Sequence, residues 1–235
     1  MLKRAGPEVW YVVPTCRSEN IEKIFANVES QSVKGHLLIV ENGEAIGTCE
    51  RTGRLPTICL QSEPNVGSAR STALRYIRSV DPEAFIVWMD DDDTYHHSYT
   101  RRVLEHNSRE SITMAGGHYA NLDGHYFWCS GNVRLEATMS GPQRLFREAD
   151  GMSTGEGRKM AQNPSKTPLP VCINRSSSGH TWTNSPLKYL TLCQPFKYLG
   201  TEVPELGNCD PDGEYLLAHE FVVQFPHVLS LWRKE

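Results

Sequence analysis

Hydrophobic and polar residues alternate in two distinct ways along the first hundred positions. Val9-Trp10-Tyr11-Val12-Val13 is short, β-branched and aromatic and stops at Pro14-Thr15, which predicts a strand running into a loop. From Glu19 to Gln31 the apolar residues fall at Ile21, Ile24, Phe25 and Val28, the spacing of one helical face. His36-Leu37-Leu38-Ile39-Val40 predicts a second strand, ended by Glu41-Asn42-Gly43, and Thr57-Ile58-Cys59-Leu60 a third. Asn65-Val66-Gly67 then leads into a predicted helix over Ser68 to Ser79, with Ala69, Ala73, Leu74, Ile77 and Val80 on its apolar side. Phe85-Ile86-Val87-Trp88-Met89 is apolar throughout, as in a strand covered on both faces.

Strands alternating with helices predict an α/β fold with a mostly parallel central sheet. Ligands of such sheets bind at the carboxyl ends of the strands. A length of 235 residues suits a single domain, 1–235. Between Gly116 and Pro170 the chain is rich in Gly, Asn, Ser and charge, and 152–167 reads as a mobile loop. Apolar order returns at Leu169-Pro170-Val171-Cys172-Ile173. Asp212 to Val223 has helical spacing through Leu216, Leu217 and Phe221.

Composition narrows the function classes. The chain has 24 basic and 28 acidic side chains, a net charge of −4, so no global positive field draws it to nucleic acid or anionic lipid. Arg101-Arg102 and the basic residues between Arg144 and Lys159 leave a local patch as an option, with a solvated face as the simpler reading. No apolar run approaches the ~20 residues that span a bilayer, and Met1 to Glu8 lacks an apolar signal core. The expectation is a soluble, cytoplasmic protein. Seven scattered cysteines without a C-x-x-C pair read as reduced thiols.

The densest chemistry is Asp90-Asp91-Asp92-Asp93, directly after the fourth predicted strand. Four adjacent carboxylates repel one another unless a cation or full solvation offsets the repulsion. Alternate residues leaving a strand point the same way, so Asp90 and Asp92 are placed to share one ion while Asp91 or Asp93 faces elsewhere. Oxygen donors suit Mg²⁺ or Mn²⁺. A solvated acidic turn or a helix N-terminus is the alternative.

Four elements in order resemble the GT-A-type glycosyltransferases, especially the family 2 group, over about Val9 to Thr100. They are Pro14-Thr15-Cys16-Arg17 after the first strand, Glu41-Asn42 after the second, Asn65-Val66-Gly67-Ser68-Ala69-Arg70 after the third, and Asp90-Asp91-Asp92 as a D-x-D motif after the fourth. The resemblance implies a single GT-A domain, with 1–115 as the nucleotide-sugar-binding half and 116–235 as the acceptor-binding half, that moves a sugar from a nucleotide-sugar donor, UDP-sugar by family frequency, to an acceptor hydroxyl. Pro14, Thr15 and Arg17 would border the nucleoside, and Glu41 would accept a hydrogen bond from it, or be an ordinary solvated Glu. Asn65 and Gly67 would form a turn that lets backbone approach the nucleotide. Arg70 would reach base or phosphates, or be a helix-surface arginine. Asp90 and Asp91 would flank the nucleotide. Asp92, with Asp90 or Asp93, would hold Mn²⁺ or Mg²⁺ against the diphosphate, whose charge grows as the sugar bond breaks.

The family's catalytic base lies in a Glu-Asp pair before a leucine-bearing helix. Here that pair is missing, Glu214 is the nearest positional equivalent and Asp212 the next, with helix-start acids as the alternative for both. His180, His219 and His227 are eligible by order as an added metal ligand, and His219 falls on the predicted helix. His96-His97 reads as the start of a helix. Trp128 and His180 to Asn184 are candidates for the acceptor side, against a core role for the tryptophans. The acceptor classes are a saccharide, a lipid-linked glycan, a protein or a modified DNA base. Two other readings are a sugar-phosphate nucleotidyltransferase, which ordinarily carries a Gly-rich loop after the first strand, and a Ca²⁺-dependent binding module, for which no EF-hand pattern is present.

Overall fold

The computed structural model describes residues 7–44, 56–122, 124–130, 138–152, 159–161, 165–173, 190–191, 193–205, 207 and 210–227. The chain divides into two compact units. The first comprises Met1–Asp92, His97–Met114 and Leu135–Thr167, the second Asp93–His96, Ala115–Arg134 and Pro168–Glu235.

In the first unit the expected α/β pattern is present with parallel core strands. β1 (Val9–Thr15) lies between β2 (His36–Asn42) and β4 (Phe85–Trp88), and β3 (Thr57–Ser62) extends the sheet beyond β2, all in parallel. β7 (Ser140–Pro142) adds to β4 in the antiparallel sense. Every residue of β1 is buried, because both of its faces are covered. Even-numbered positions (Trp10, Val12, Leu38, Val40, Ile86, Trp88) form one core with Ala69, Ala73, Leu74 and Ile77 of α2 (Val66–Val80). Odd-numbered positions (Tyr11, Val13, Leu37, Ile39, Phe85, Val87) are equally buried on the other face. α1 (Ile21–Ser30) buries Ile21, Ile24, Phe25 and Val28, and α3 (Tyr99–His106) buries Tyr99 and Val103. Thr100 of α3 hydrogen-bonds through its N–H and hydroxyl to Gln31, just past α1. His96 and His97 precede α3.

Tyr11 has a measurable consequence. Its hydroxyl donates to the Val33 carbonyl at 2.7 Å, and burial pushes its pKa from 10.0 up to about 12, against a small opposing effect of the bond to Thr100. Burial raises Tyr99 as well. A phenol held neutral in the fold keeps its proton where the unfolded chain has lost it. The stability Tyr11 provides is therefore complete below about pH 10 and lost as the pH rises through about 12. Denaturant titrations across that window are expected to show falling stability, with a shallower fall in Tyr11→Phe; equal slopes would contradict this.

In the second unit β5 (Thr113–Leu122), β6 (His125–Ser130), β9 (Phe196–Gly200) and β10 (Tyr215–Leu216) run antiparallel in that order. Thr113, at the start of β5, still belongs to the first unit and pairs with Ser140. β8 (Ser165–Ile173) pairs with β5. A short helix, α4 (Ala218–Gln224), closes an aromatic core of Phe127, Phe196, Tyr198, Phe221 and Phe225.

One expectation is corrected. The segment 212–217 is not helical: Gly213 has φ of +132°, and Tyr215 and Leu216 pair with Lys197 and Phe196 instead. The helix starts only at Ala218, where the Glu220 carboxylate accepts from the Leu217 N–H at 2.6 Å. In the stretch expected as a loop, 153–158 and 162–164 lie outside the described residues, but Met160 and Ala161 are core residues and Ser165 opens β8. Trp128 is a core residue, edge-on to Tyr119 and close enough to Gly117 that a Cβ there would lie 2.5 Å from its ring. His180 to Asn184 lie outside the described residues.

Candidate functional site

β1 and β4 are neighbours, so their carboxyl ends bring Thr15 and Arg17 to Asp91 and Asp92. Thr15, the last residue of β1, donates its hydroxyl to Asp91 Oδ2 at 2.6 Å and accepts from the Arg17 N–H at 3.1 Å. The Arg17 guanidinium holds both Asp91 oxygens, one of them through Nε at 3.0 Å, and reaches Asp92 Oδ2 at 3.3 Å. Burial alone would work against this charge, but the Asp91 hydrogen bond and the Asp91 and Asp92 charges outweigh it and raise the Arg17 pKa. The Lys23 ammonium, from the first turn of α1, donates to the Asp92 carbonyl.

Asp91 is therefore an anchor. Its side chain is 3% exposed, with both oxygens taken by side chains at and just past the end of β1. Asp90 and Asp92 are 27% and 14% exposed; Asp91 and Asp92 lie in a turn just past β4 and Arg17 meets both, so the alternation expected of a departing strand does not carry through the motif. Arg70 is the third cation of the motif. It is 2% exposed, bonds Asp90 Oδ1 at 3.1 Å, and lies over the Trp88 ring at 5.7 Å, so it is not a helix-surface arginine.

Carboxylate oxygens of Asp90, Asp92 and Asp93 all lie within 4.8 Å of one another. The residues are consecutive, so this spacing is local to the tetrapeptide. Asp93 is fully buried. Three hard oxygen donors at this separation fit an Mg²⁺ or Mn²⁺ ion. Formally, four carboxylates outnumber the three cations Arg17, Lys23 and Arg70, leaving the motif a residual negative charge that a divalent cation offsets.

The other expected residues have definite places. Glu41 is buried at the end of β2, in register with Thr15 on one side and Gln61 on the other. Pro14 is a buried residue of β1. Asn65 caps α2, its side chain accepting from the Ser68 N–H at 2.7 Å. Gly67 permits a close backbone approach, but to protein: a Cβ would sit 2.2 Å from the Ala149 carbonyl oxygen and 2.6 Å from that of Met152. At the carboxyl ends of β2 and β3, Gly43, Gln61, Ser62, Glu63 and Pro64 line an open recess of about 690 Å³; Glu41 is not part of its lining. A second recess, about 650 Å³, lies at the opposite strand ends, around Val9, His36 and Phe85.

Asp212, Glu214 and His219 belong to the second unit and are exposed. Among the described residues His219 is in no cluster of three metal-ligating side chains. Arg144 pairs with Glu110 at 3.0 Å, and Arg101 approaches Glu105 at 3.9 Å, so these charges are locally balanced. Lys23 was missed at the sequence level because one lysine on an amphipathic helix carries no signal of its own. No helix among the described residues is long and apolar enough to cross a membrane.

No family model matches the chain, and no curated protein matches it. Among solved structures it is similar to 4-diphosphocytidyl-2C-methyl-D-erythritol synthase, with a TM-score of 0.46, 9% identity, and coverage of 72% of this chain and 90% of that one. It is also similar to CMP:2-keto-3-deoxy-manno-octonic acid synthetase complexed with CTP, with a TM-score of 0.35, 7% identity, and coverage of 48% and 53%.

Proposed function

We propose that the chain is a divalent-metal-assisted transferase acting on a nucleotide-activated substrate. The observation that carries this reading is the set of carboxylates of Asp90, Asp92 and Asp93, with oxygens within 4.8 Å of one another just past a core parallel strand, Asp90 bonded by Arg70 and Asp92 reached by Arg17. A Mn²⁺ or Mg²⁺ ion held by Asp92 with Asp90 or Asp93 would supply charge stabilisation to a departing diphosphate. The protein groups do the rest of the positioning. Asp91 fixes the loop to β1, Arg70 orients Asp90, and Arg17, 29% exposed, presents a permanent positive charge beside the carboxylates where a phosphate oxygen would sit. Glu41 and the recess at β2 and β3 suit a nucleoside.

The finer reading is glycosyl transfer from a nucleoside diphosphate sugar, with UDP-sugar as the donor and the acceptor a saccharide, a lipid-linked glycan, a protein or a hydroxylated DNA base. It is favoured by the exit of β1, where Cys16 and Arg17 lead into a 3-10 turn at Ser18–Asn20 with no glycine-lined phosphate loop. Deprotonating the acceptor hydroxyl calls for a carboxylate, for which Glu214 and Asp212 are the proposed residues. A second reading, nucleotidyl transfer from a nucleoside triphosphate to a sugar phosphate, is favoured by Arg17 and Lys23. Two cations shortly after β1 converge on the motif and suit a triphosphate.

The two readings release different products. Incubation with Mn²⁺ and a panel of nucleotide sugars is expected to liberate nucleoside diphosphate, UDP first. Release of pyrophosphate from a nucleoside triphosphate, with CTP in the panel, moves the assignment to nucleotidyl transfer. Neither product from any substrate removes both readings.

A further inference from the structure

The second unit contains a cluster that the proposed transfer reaction does not use. His118, Cys129 and Cys193 each bring one ligand atom, a ring nitrogen or a sulfur, to within 4.8 Å of the other two, and all three residues are buried. They come from separate parts of the chain. His118 of β5 is the cross-strand partner of Cys129 on β6, and Cys193 lies just before β9, whose Phe196 pairs with Cys129. Neither cysteine is in a disulfide, and both lie in the apolar cluster of Phe127, Leu190, Phe196 and Phe221.

From this geometry we infer that His118, Cys129 and Cys193 form a metal site for a soft or borderline divalent ion, zinc by its chemistry. Zinc binds thiolate sulfur at ~2.3 Å and imidazole nitrogen at ~2.0 Å in a tetrahedron whose fourth position a water would fill here, so its ligand atoms stand roughly 3.5 to 4 Å apart, within the observed separation. The charge balance suits the location. Two thiolates neutralise the dication and the imidazole stays neutral, so the filled site places no net charge in an apolar core. The two thiols release their protons to solvent as the ion binds. Nitrogen and sulfur donors also separate this site from the all-oxygen aspartate motif, which selects harder ions. Burial rules out a nucleophilic role, because a substrate has no access to these sulfurs. The site would be structural, tying β5 and β6 to the segment that leads into β9.

Metal analysis of the full-length protein is expected to find one zinc per chain, with X-ray absorption showing two sulfur neighbours at ~2.3 Å. Cobalt substitution should give a thiolate-to-cobalt charge-transfer band, and a strong chelator should lower the melting temperature. Cys193→Ser and Cys129→Ser should lose the zinc while Cys59→Ser retains it. Since either core variant risks misfolding, the wild-type measurements stand by themselves. A chain that takes up no zinc when it is supplied, a bound zinc with an oxygen-only shell, or a Cys129–Cys193 disulfide in the native protein would each overturn the site.

Discussion

Asp92→Asn is expected to lower metal-dependent product release at least about a hundredfold, the scale on which removing one charge-stabilising group acts, while the melting temperature barely moves. The side chain meets Arg17 Nη1 at 3.3 Å, a long contact to a group already bound to Asp91, so its neutralisation should cost the fold less than that of Asp91. Asp91→Asn should behave in the opposite way. It strips charge from a buried carboxylate engaged by Thr15 and Arg17 and leaves the guanidinium without its main partner, a loss that typically costs about 3 kcal/mol or more. Assay and melting curve together separate the residue that acts on the ligand from the one that holds the loop. Equal loss of activity and stability in both variants would place Asp92 among the structural residues.

Gly67→Ala is expected to destabilise the first unit by about 3 kcal/mol or more. Helix propensity alone predicts the reverse, since alanine is favoured over glycine inside a helix by about 1 kcal/mol. Packing decides the sign. The new Cβ would fall 2.2 Å from the Ala149 carbonyl oxygen, and moving that segment away breaks the bonds from the Gly67 N–H to the Met152 carbonyl at 2.9 Å and from the Ala149 N–H to Ser71 Oγ at 2.7 Å. For a chain of this size the melting temperature should drop by roughly 6 °C or more. A rise would show that 149–152 does not press on α2.

The first unit was legible because its strands are apolar on both faces and its helices on one. Those are the two patterns that sequence periodicity detects best, and parallel topology then fixes which strand ends carry the chemistry. What periodicity could not supply was partnership at long range. Arg70 occupies a helix position that reads as surface until Trp88 and Asp90 are placed around it. Gly67 was expected to make room for a ligand, and the approaching backbone belongs to residues 149–152, about eighty positions later.

The second unit was harder to read for a physical reason. β5 carries Gly116, Gly117 and Asn121 in place of a clean apolar alternation, and its hairpin to β6 was signalled only by Asp123-Gly124, the residue pair that a tight two-residue turn favours. Gly124 has φ of +81° and its N–H bonds the Asn121 side chain at 2.9 Å. At 212–217 helical spacing was real but overridden by Gly213 and by pairing with β9. The cluster of His118, Cys129 and Cys193 is invisible to spacing rules because strand pairing, not local sequence, assembles it.

The claim on which the functional account rests is that Asp90 and Asp92 act through a divalent ion. The measurement that tests it most directly is product release by the wild-type protein in Mn²⁺ or Mg²⁺ against the same reaction in excess chelator. The account predicts nucleotide product with metal, none without it, and recovery on adding metal back. Turnover that continues undiminished in chelator would contradict it.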